Sequence, residues 1–408
     1  MISFQPSEDQ KLMVESVAQF ARAALRPKIR ELEAARELPE DVRRTAHELG
    51  LGLAALPESV GGAGLGLTTA VLLEEEVAWG DPAAPFALAG PGAFGLAVVE
   101  LGTEEQARTA LAPFTGDGGH ARFGAVAWGE TKPNAERPGF STIATRSGDG
   151  WRIDGAKAYV LSADRADHFV VFAQVDASAG WSGIGAFLVD RSAPGFAVTD
   201  RAQTLGLDAA SFGGIELSGV LVPDSARLGG GSDFSASLVR FFAKNALLVA
   251  ARGVGLSRAA FELTREYVDT RKAFGKPIGH FQAVAFTIAD RAMDVDASRG
   301  LVWRAAAAWD ALARGEGTER EALLLTAQAV AFVHEAAMRC GDDGVQLHGG
   351  AGFMRDYLVE KLMRDAKQLG LCGMTAEHAD QLAAAVTLGV PLDPGLVLPT
   401  PETQNAFV

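Results

Sequence analysis

At 408 residues the chain holds enough material for two or three domains, and a balance of 48% hydrophobic to 22% charged residues excludes both a disordered chain and a membrane-spanning one. Lys and Arg number 37 against 51 Asp and Glu; the resulting −14 works against nucleic acid or an anionic membrane surface as the main partner, while leaving room for a local basic pocket that takes a phosphorylated small molecule. Two cysteines, Cys340 and Cys372, make no disulfide framework, and Met1-Ile2-Ser3-Phe4-Gln5-Pro6 lacks the order of a secretory signal, so a cytoplasmic location away from the membrane is expected.

Residues 1–120 read as a helical domain. Leu12, Val17 and Phe20 recur at helical spacing, as do Leu72, Leu73 and Val77 beside Glu74, Glu75 and Glu76, which predicts amphipathic helices. Ser7 with Gln10 and Thr103 with Gln106 fit the capping box, and Gly50 and Gly102 suit helix ends. The Gly-rich stretch Pro57 to Gly66 lacks G-x-G-x-x-G and follows no Val-rich strand, so it reads as an inter-helix loop.

Residues 121–228 change character. Short runs at Phe123 to Trp128, Ser141 to Arg146, Trp151 to Ile153, Ala158 to Leu161, Phe169 to Val175, Ile184 to Val189 and Ile215 to Leu217 predict strands. Gly148-Asp149-Gly150 and Asp154-Gly155 mark turns. Strands without intervening helices argue for an antiparallel sandwich or barrel rather than a Rossmann sheet. Residues 229–390 turn helical again, with Ala-rich stretches Leu301 to Leu312 and Glu319 to Cys340. Breaks are expected at Gly275-Lys276-Pro277, Gly315-Glu316-Gly317 and Gly341 to Gly344, which predicts a four-helix bundle. Residues 391–408 read as a tail or subunit-contact segment. The fold class is therefore α+β multidomain: helical domain, antiparallel β domain, helical bundle.

Several chemistries are absent. His334-Glu335 is followed by Met338 where a zinc-protease helix needs its second His, and there is no P-loop and no G-x-S-x-G turn, so no metal is expected. What stands out is RKAFGKPIGHFQ from Arg271 and VQLHGGAGF from Val345. The first also serves as helix punctuation, a basic C-terminus followed by a Gly stop and a Pro start. Yet Arg271 offers a planar fork for a pyrophosphate, Phe274 a stacking face and Gln282 an amide, while Gly349 and Gly350 allow close backbone approach.

These runs, with EKLMRDAK from Glu360 and GGAGLGLTTAVLLEE from Gly61, strongly resemble the acyl-CoA dehydrogenase family over nearly the whole chain. The resemblance implies α,β-dehydrogenation of an acyl-CoA thioester, FAD as hydride acceptor, a homo- or hetero-oligomer that is a dimer of dimers, and an electron-transfer flavoprotein as partner. The cofactor-binding set it implies is Arg271, Phe274, Gln282, Gln346, Gly349, Gly350 and Thr375, most of them reaching the adenosine and pyrophosphate of a neighbouring subunit's FAD.

The family's general base is a Glu at one of two positions, and here these hold Gly373 and Asn245, so the catalytic residue is unassigned. In the β domain, Gly129, Ala135 and Leu161 stand where hydroxyls near the flavin are expected, with Thr131 and Ser162 as partial substitutes, and Ala246 replaces an Arg near the CoA. Cys372 reads as a small buried residue, Glu377, His378 and Asp380 as the polar face of a helix, and His168, His280 and His348 as structural or solvent-facing. The alternatives to dehydrogenation are a non-catalytic partner subunit that completes another chain's FAD site, a relative with other flavin chemistry, or a scaffold that binds acyl-CoA without turnover.

Overall fold

The computed structural model describes residues 6–116, 118–131, 138–229 and 234–390. The expected tail from Pro391 and the segment Lys132 to Glu136 lie outside the described residues.

Seven helices come first: α1 Glu8–Phe20, α2 Ile29–Ala35, α3 Glu40–Glu48, α4 Gly66–Gly80, α5 Ala84–Ala87, α6 Gly92–Leu101 and α7 Glu104–Thr115. Both capping boxes are present: Ser7 and Gln10 satisfy each other's backbone at the start of α1, as Thr103 and Gln106 do for α7. Each such cap contributes about 1 kcal/mol. The Gly-rich loop enters α4, whose first-turn amides of Leu67 and Thr68 donate to the Asp310 carboxylate at 2.7 and 2.9 Å. A helix start that attracts anions is thus occupied by the protein's own acid, which agrees with the loop reading.

The expectation for α4 itself is corrected. This helix is buried around its circumference rather than on one stripe, and Glu75 and Glu76 are among its buried residues. They are tolerated because they are paired: Glu75 with Arg258 at 2.8 Å and Arg299 at 2.6 Å, Glu76 with Arg258 at 2.6 Å.

The middle domain is an eight-stranded sheet formed by β1 Gly124–Ala127, β2 Ile143–Ser147, β3 Gly150–Leu161, β4 His168–Gln174, β5 Ile184–Asp190, β6 Phe196–Val198, β7 Phe212–Pro223 and β8 Arg227–Leu228. Its order is β6-β7-β3-β2-β4-β5-β8, with β1 beside β4. Most pairs are antiparallel as expected, but β1 runs parallel to β4 and β2 meets β4 in parallel at Ile143 and Gln174. The expected turn at Asp154-Gly155 is instead an irregularity inside one long strand, β3. Gly155 sits at φ +144°, and a Cβ there would fall 2.6 Å from the Thr142 Cα, so only glycine fits.

The bundle consists of α8 Phe234–Thr270, α9 Gln282–Ala313, α10 Glu319–His348, α11 Val359–Leu369 and α12 Ala376–Leu388. The break at Gly275-Lys276-Pro277 is a small hairpin of β9 Lys272–Ala273 and β10 Lys276–Pro277. No break occurs at Gly341 to Gly344: α10 runs straight through to His348. Those glycines admit a neighbouring helix instead, since Cβ atoms there would lie 2.8 Å from the Met363 Cα and 2.6 Å from the Val359 Cγ2. Among the described residues α8 alone is long and apolar enough to cross a bilayer, with a mean hydropathy of 1.3, and half of that window is buried inside the protein.

One buried cluster ties the three zones together. Lys361 lies 2.9 Å from Asp81, which follows α4, and 2.5 Å from Asp365, one turn on in α11. Asp365 in turn accepts from the Leu207 amide at 2.6 Å, and Gln368 from the Gly206 amide at 2.9 Å, both in the chain leading to β7. All three charged side chains are essentially inaccessible, and the paired carboxylates push the Lys361 pKa up despite its burial.

Candidate functional site

The two positions that resemblance singles out for a base are far apart in sequence and adjacent in space. Gly373 follows α11 in a left-handed conformation, φ +71°, and a Cβ there would lie 3.3 Å from Asn245 Nδ2, 3.5 Å from Val249 Cγ2 and 3.8 Å from the Ala246 Cα. None of these neighbours is an acid. Asn245 is half-buried on α8, and its amide has no hydrogen-bond partner among the described residues. It can donate to a carbonyl oxygen or accept from a donor, but it cannot take up a proton at neutral pH.

The flanking groups do not fill the gap. Burial pushes the Cys372 thiol up to about 12, so it is no thiolate. Thr375 spends its hydroxyl capping α12, where it accepts from the His378 amide at 3.3 Å, and Glu377 and Asp380 stand on the exposed face of that helix. His334, on α10, is buried with both ring nitrogens unpartnered among the described residues, and burial lowers its pKa to about 4. Its folded pKa is below the ordinary 6.5, so the unfolded chain binds the extra proton first, and stability is lost as pH falls from 6.5 towards 4. Two and a half pKa units correspond to about 3 kcal/mol. Urea unfolding should show this loss in the native chain, whereas His334→Leu should escape it.

Between the β domain and α8 stands a wall of aromatic rings. Trp128, just after β1, packs edge-on against Phe242, one turn before Asn245, with ring centroids 4.6 Å apart, and also meets Phe140 at 4.8 Å and Trp181 at 6.0 Å. Beneath it, buried Lys157 is held 2.9 Å from Glu130 and 3.4 Å from the centre of the Phe140 ring, and burial lowers its pKa to about 8. Gly129 is stitched to β3 through the Ala158 amide at 2.8 Å, and Ser162 is only 4% exposed, so it stands withdrawn rather than as a replacement hydroxyl. Sequence reasoning named Phe242 and Trp181 nowhere, since neither belongs to a motif.

The residues expected to hold the cofactor's tail gather at the opposite end of the bundle. Tyr267 near the end of α8 stacks on His348 at the end of α10, 4.1 Å between rings, which brings Arg271 and the β9–β10 hairpin to the same end as Gln346, Gly349 and Gly350. Phe274 at the hairpin tip is 96% exposed at φ +50°, an uncommon conformation for an aromatic residue. Arg271, Gln282 and Gln346 are exposed, and Cβ atoms on Gly349 and Gly350 would meet nothing within 4 Å. The buried His348 Nε2 has no partner among the described residues. A guanidinium, a free ring face and bare backbone fit a dinucleotide's phosphates and adenine. Thr375 does not join this group. A continuous helix rises about 1.5 Å per residue, so Asn245 and Arg271 stand about 40 Å apart, and Thr375 is tied to the Asn245 end through Gly373.

Models of the acyl-CoA dehydrogenase N-terminal, middle and C-terminal domains match residues 7–116, 125–220 and 235–385. A probable acyl-CoA dehydrogenase of Bacillus subtilis is 31% identical over 382 residues, which cover 92% of this chain and 97% of that one. The chain belongs to the acyl-CoA dehydrogenase family. Another relative, the cyclohex-1-ene-1-carbonyl-CoA dehydrogenase of Geobacter metallireducens, is 30% identical over 88% of this chain and 93% of its own. Butyryl-CoA dehydrogenase from Megasphaera elsdenii superposes with a TM-score of 0.85 at 26% identity, covering 95% of this chain and all of that one. A glutaryl-CoA dehydrogenase in complex with glutaryl-CoA gives 0.85 at 26% identity over 96% and 98%. In this acyl-CoA dehydrogenase family member, Gly373 and Asn245 lie side by side at one end of α8, and Arg271, Gln346, Gly349 and Gly350 are exposed towards the other.

Proposed function

We propose that this chain is an FAD-dependent enzyme that removes the α and β hydrogens of an acyl-CoA thioester at the face between the β domain and α8. The observation that carries the proposal is the exposed set Arg271, Phe274, Gln282, Gly349 and Gly350, suited to the adenosine and pyrophosphate half of FAD. Relatives named as acyl-CoA dehydrogenases support the catalytic reading over a non-catalytic partner subunit. When bound, FAD supplies the hydride acceptor.

The residues of this chain have distinct tasks in that reaction. Asn245 stands where a base would face the α-carbon; its free amide can hold the acyl group in place there but cannot take up the proton. The aromatic wall around Trp128 and Phe242 keeps water from that face. The base remains unassigned, because an amide and a glycine stand where a carboxylate is expected.

Tail residues about 40 Å from Asn245 are too distant to grip the FAD used at that position, so they serve a second subunit, which makes the working unit an oligomer. Purified protein should carry flavin absorbance that bleaches on addition of an acyl-CoA without oxygen. A colourless preparation that takes up no FAD would overturn the reading. Arg271→Ala should weaken FAD binding by about 10- to 100-fold, the worth of charged hydrogen bonds to phosphate, as read by flavin fluorescence during dialysis.

A further inference from the structure

A cavity of about 70 Å³ lies between α4, the α5–α6 segment and α8, lined by small apolar side chains such as Ala54, Leu73, Leu88 and Leu248. Its only charged lining groups are Glu74 and Arg252. Arg252 engages Glu74 through Nε at 2.8 Å and Nη2 at 3.2 Å, and its guanidinium lies over the Phe86 ring at 4.4 Å. That leaves Nη1, with two N–H donors, without a partner among the described residues, on a side chain only 11% exposed. Asn245, Leu248 and Arg252 follow one another along one face of α8, so the guanidinium carbon skeleton begins about 10 Å beyond Asn245.

We infer that Arg252 is a specificity residue that selects a short acyl group bearing a neutral oxygen acceptor, a hydroxyl or carbonyl, at its far end. This rests on the acyl-CoA reading above. The small volume excludes a long chain, since pockets for larger ligands run to roughly 300–1,000 Å³. An unbranched alkyl end would leave a buried N–H edge stripped of water with nothing to bond, which disfavours plain fatty acyl groups. Glu74 neutralises the guanidinium and faces the same space, so a carboxylate end would gain an attractive partner and a repulsive one together. A neutral oxygen meets only the free donor.

The test is isothermal titration of the FAD-loaded protein with hexanoyl-CoA, 6-hydroxyhexanoyl-CoA, 5-oxohexanoyl-CoA and adipoyl-CoA. Hydroxy- or oxo-acyl thioesters should bind about tenfold more tightly than the hexanoyl compound, with adipoyl-CoA weaker than either. In the paired variant Glu74→Gln with Arg252→Met, which leaves no buried lone charge, that preference should vanish while hexanoyl-CoA still binds. Equal affinity for all four in the native chain, tighter binding of adipoyl-CoA, or a preference that survives the paired variant would each overturn the inference alone. Failure of every thioester to bind would overturn the acyl-CoA reading and this one with it.

Discussion

Asn245→Glu should speed reduction of the bound flavin by a saturated acyl-CoA by about 10²- to 10⁴-fold, the contribution ordinarily made by one positioned general base. The substitution is made on a regular helix, where a Glu backbone is at ease, and beside a glycine that leaves space. Anaerobic stopped-flow absorbance reads the rate directly. Gly373→Glu should gain less: φ +71° is the left-handed region, where any residue with a Cβ is strained by about 1–2 kcal/mol, and its Cβ would press on the Asn245 amide at 3.3 Å. The two substitutions together should not multiply, because adjacent carboxylates repel and one would hold its proton. A variant Asn245→Glu that reduces flavin no faster than the native chain would show that the proton is already removed by another group.

Lys361→Met should destabilise the protein by about 3–5 kcal/mol, enough to lower the melting temperature of this 408-residue chain by about 3–6 °C. The loss comes less from the missing attraction than from leaving Asp81 and Asp365 buried together without a cation. Because Asp365 also holds the Leu207 amide, the damage should reach the β domain as well as the bundle. Differential scanning calorimetry would show one broadened or split transition in place of a single one, and an unchanged melting temperature would refute the role given to this cluster.

The sequence was informative where structure is local. Capping boxes at Ser7 and Thr103, strand runs such as Phe169 to Val175, and the stop at Gly315 depend on neighbours a few residues away, and each appears near its expected place. It was misleading where a distant partner decides. Glu75 and Glu76 look like a solvated face until Arg258 and Arg299 arrive from the bundle, and Gly341 and Gly344 look like a helix stop until Met363 and Val359 press against them. At the site, resemblance located Asn245 and Gly373 separately, and folding alone revealed that they meet. No motif pointed to Arg252, whose significance comes from the cavity it faces and the single edge that Glu74 leaves free.

The length of α8 also bears on concentration. On the proposed function, with the grip on the dinucleotide at one end of the bundle and the reaction position about 40 Å away at the other, each cofactor would be shared across a subunit boundary. Flavin release and subunit separation then become a single linked equilibrium governed by mass action. Dilution would strip the cofactor, added FAD would drive reassembly, and a fall in supply of either protein or flavin would be felt as a loss of both.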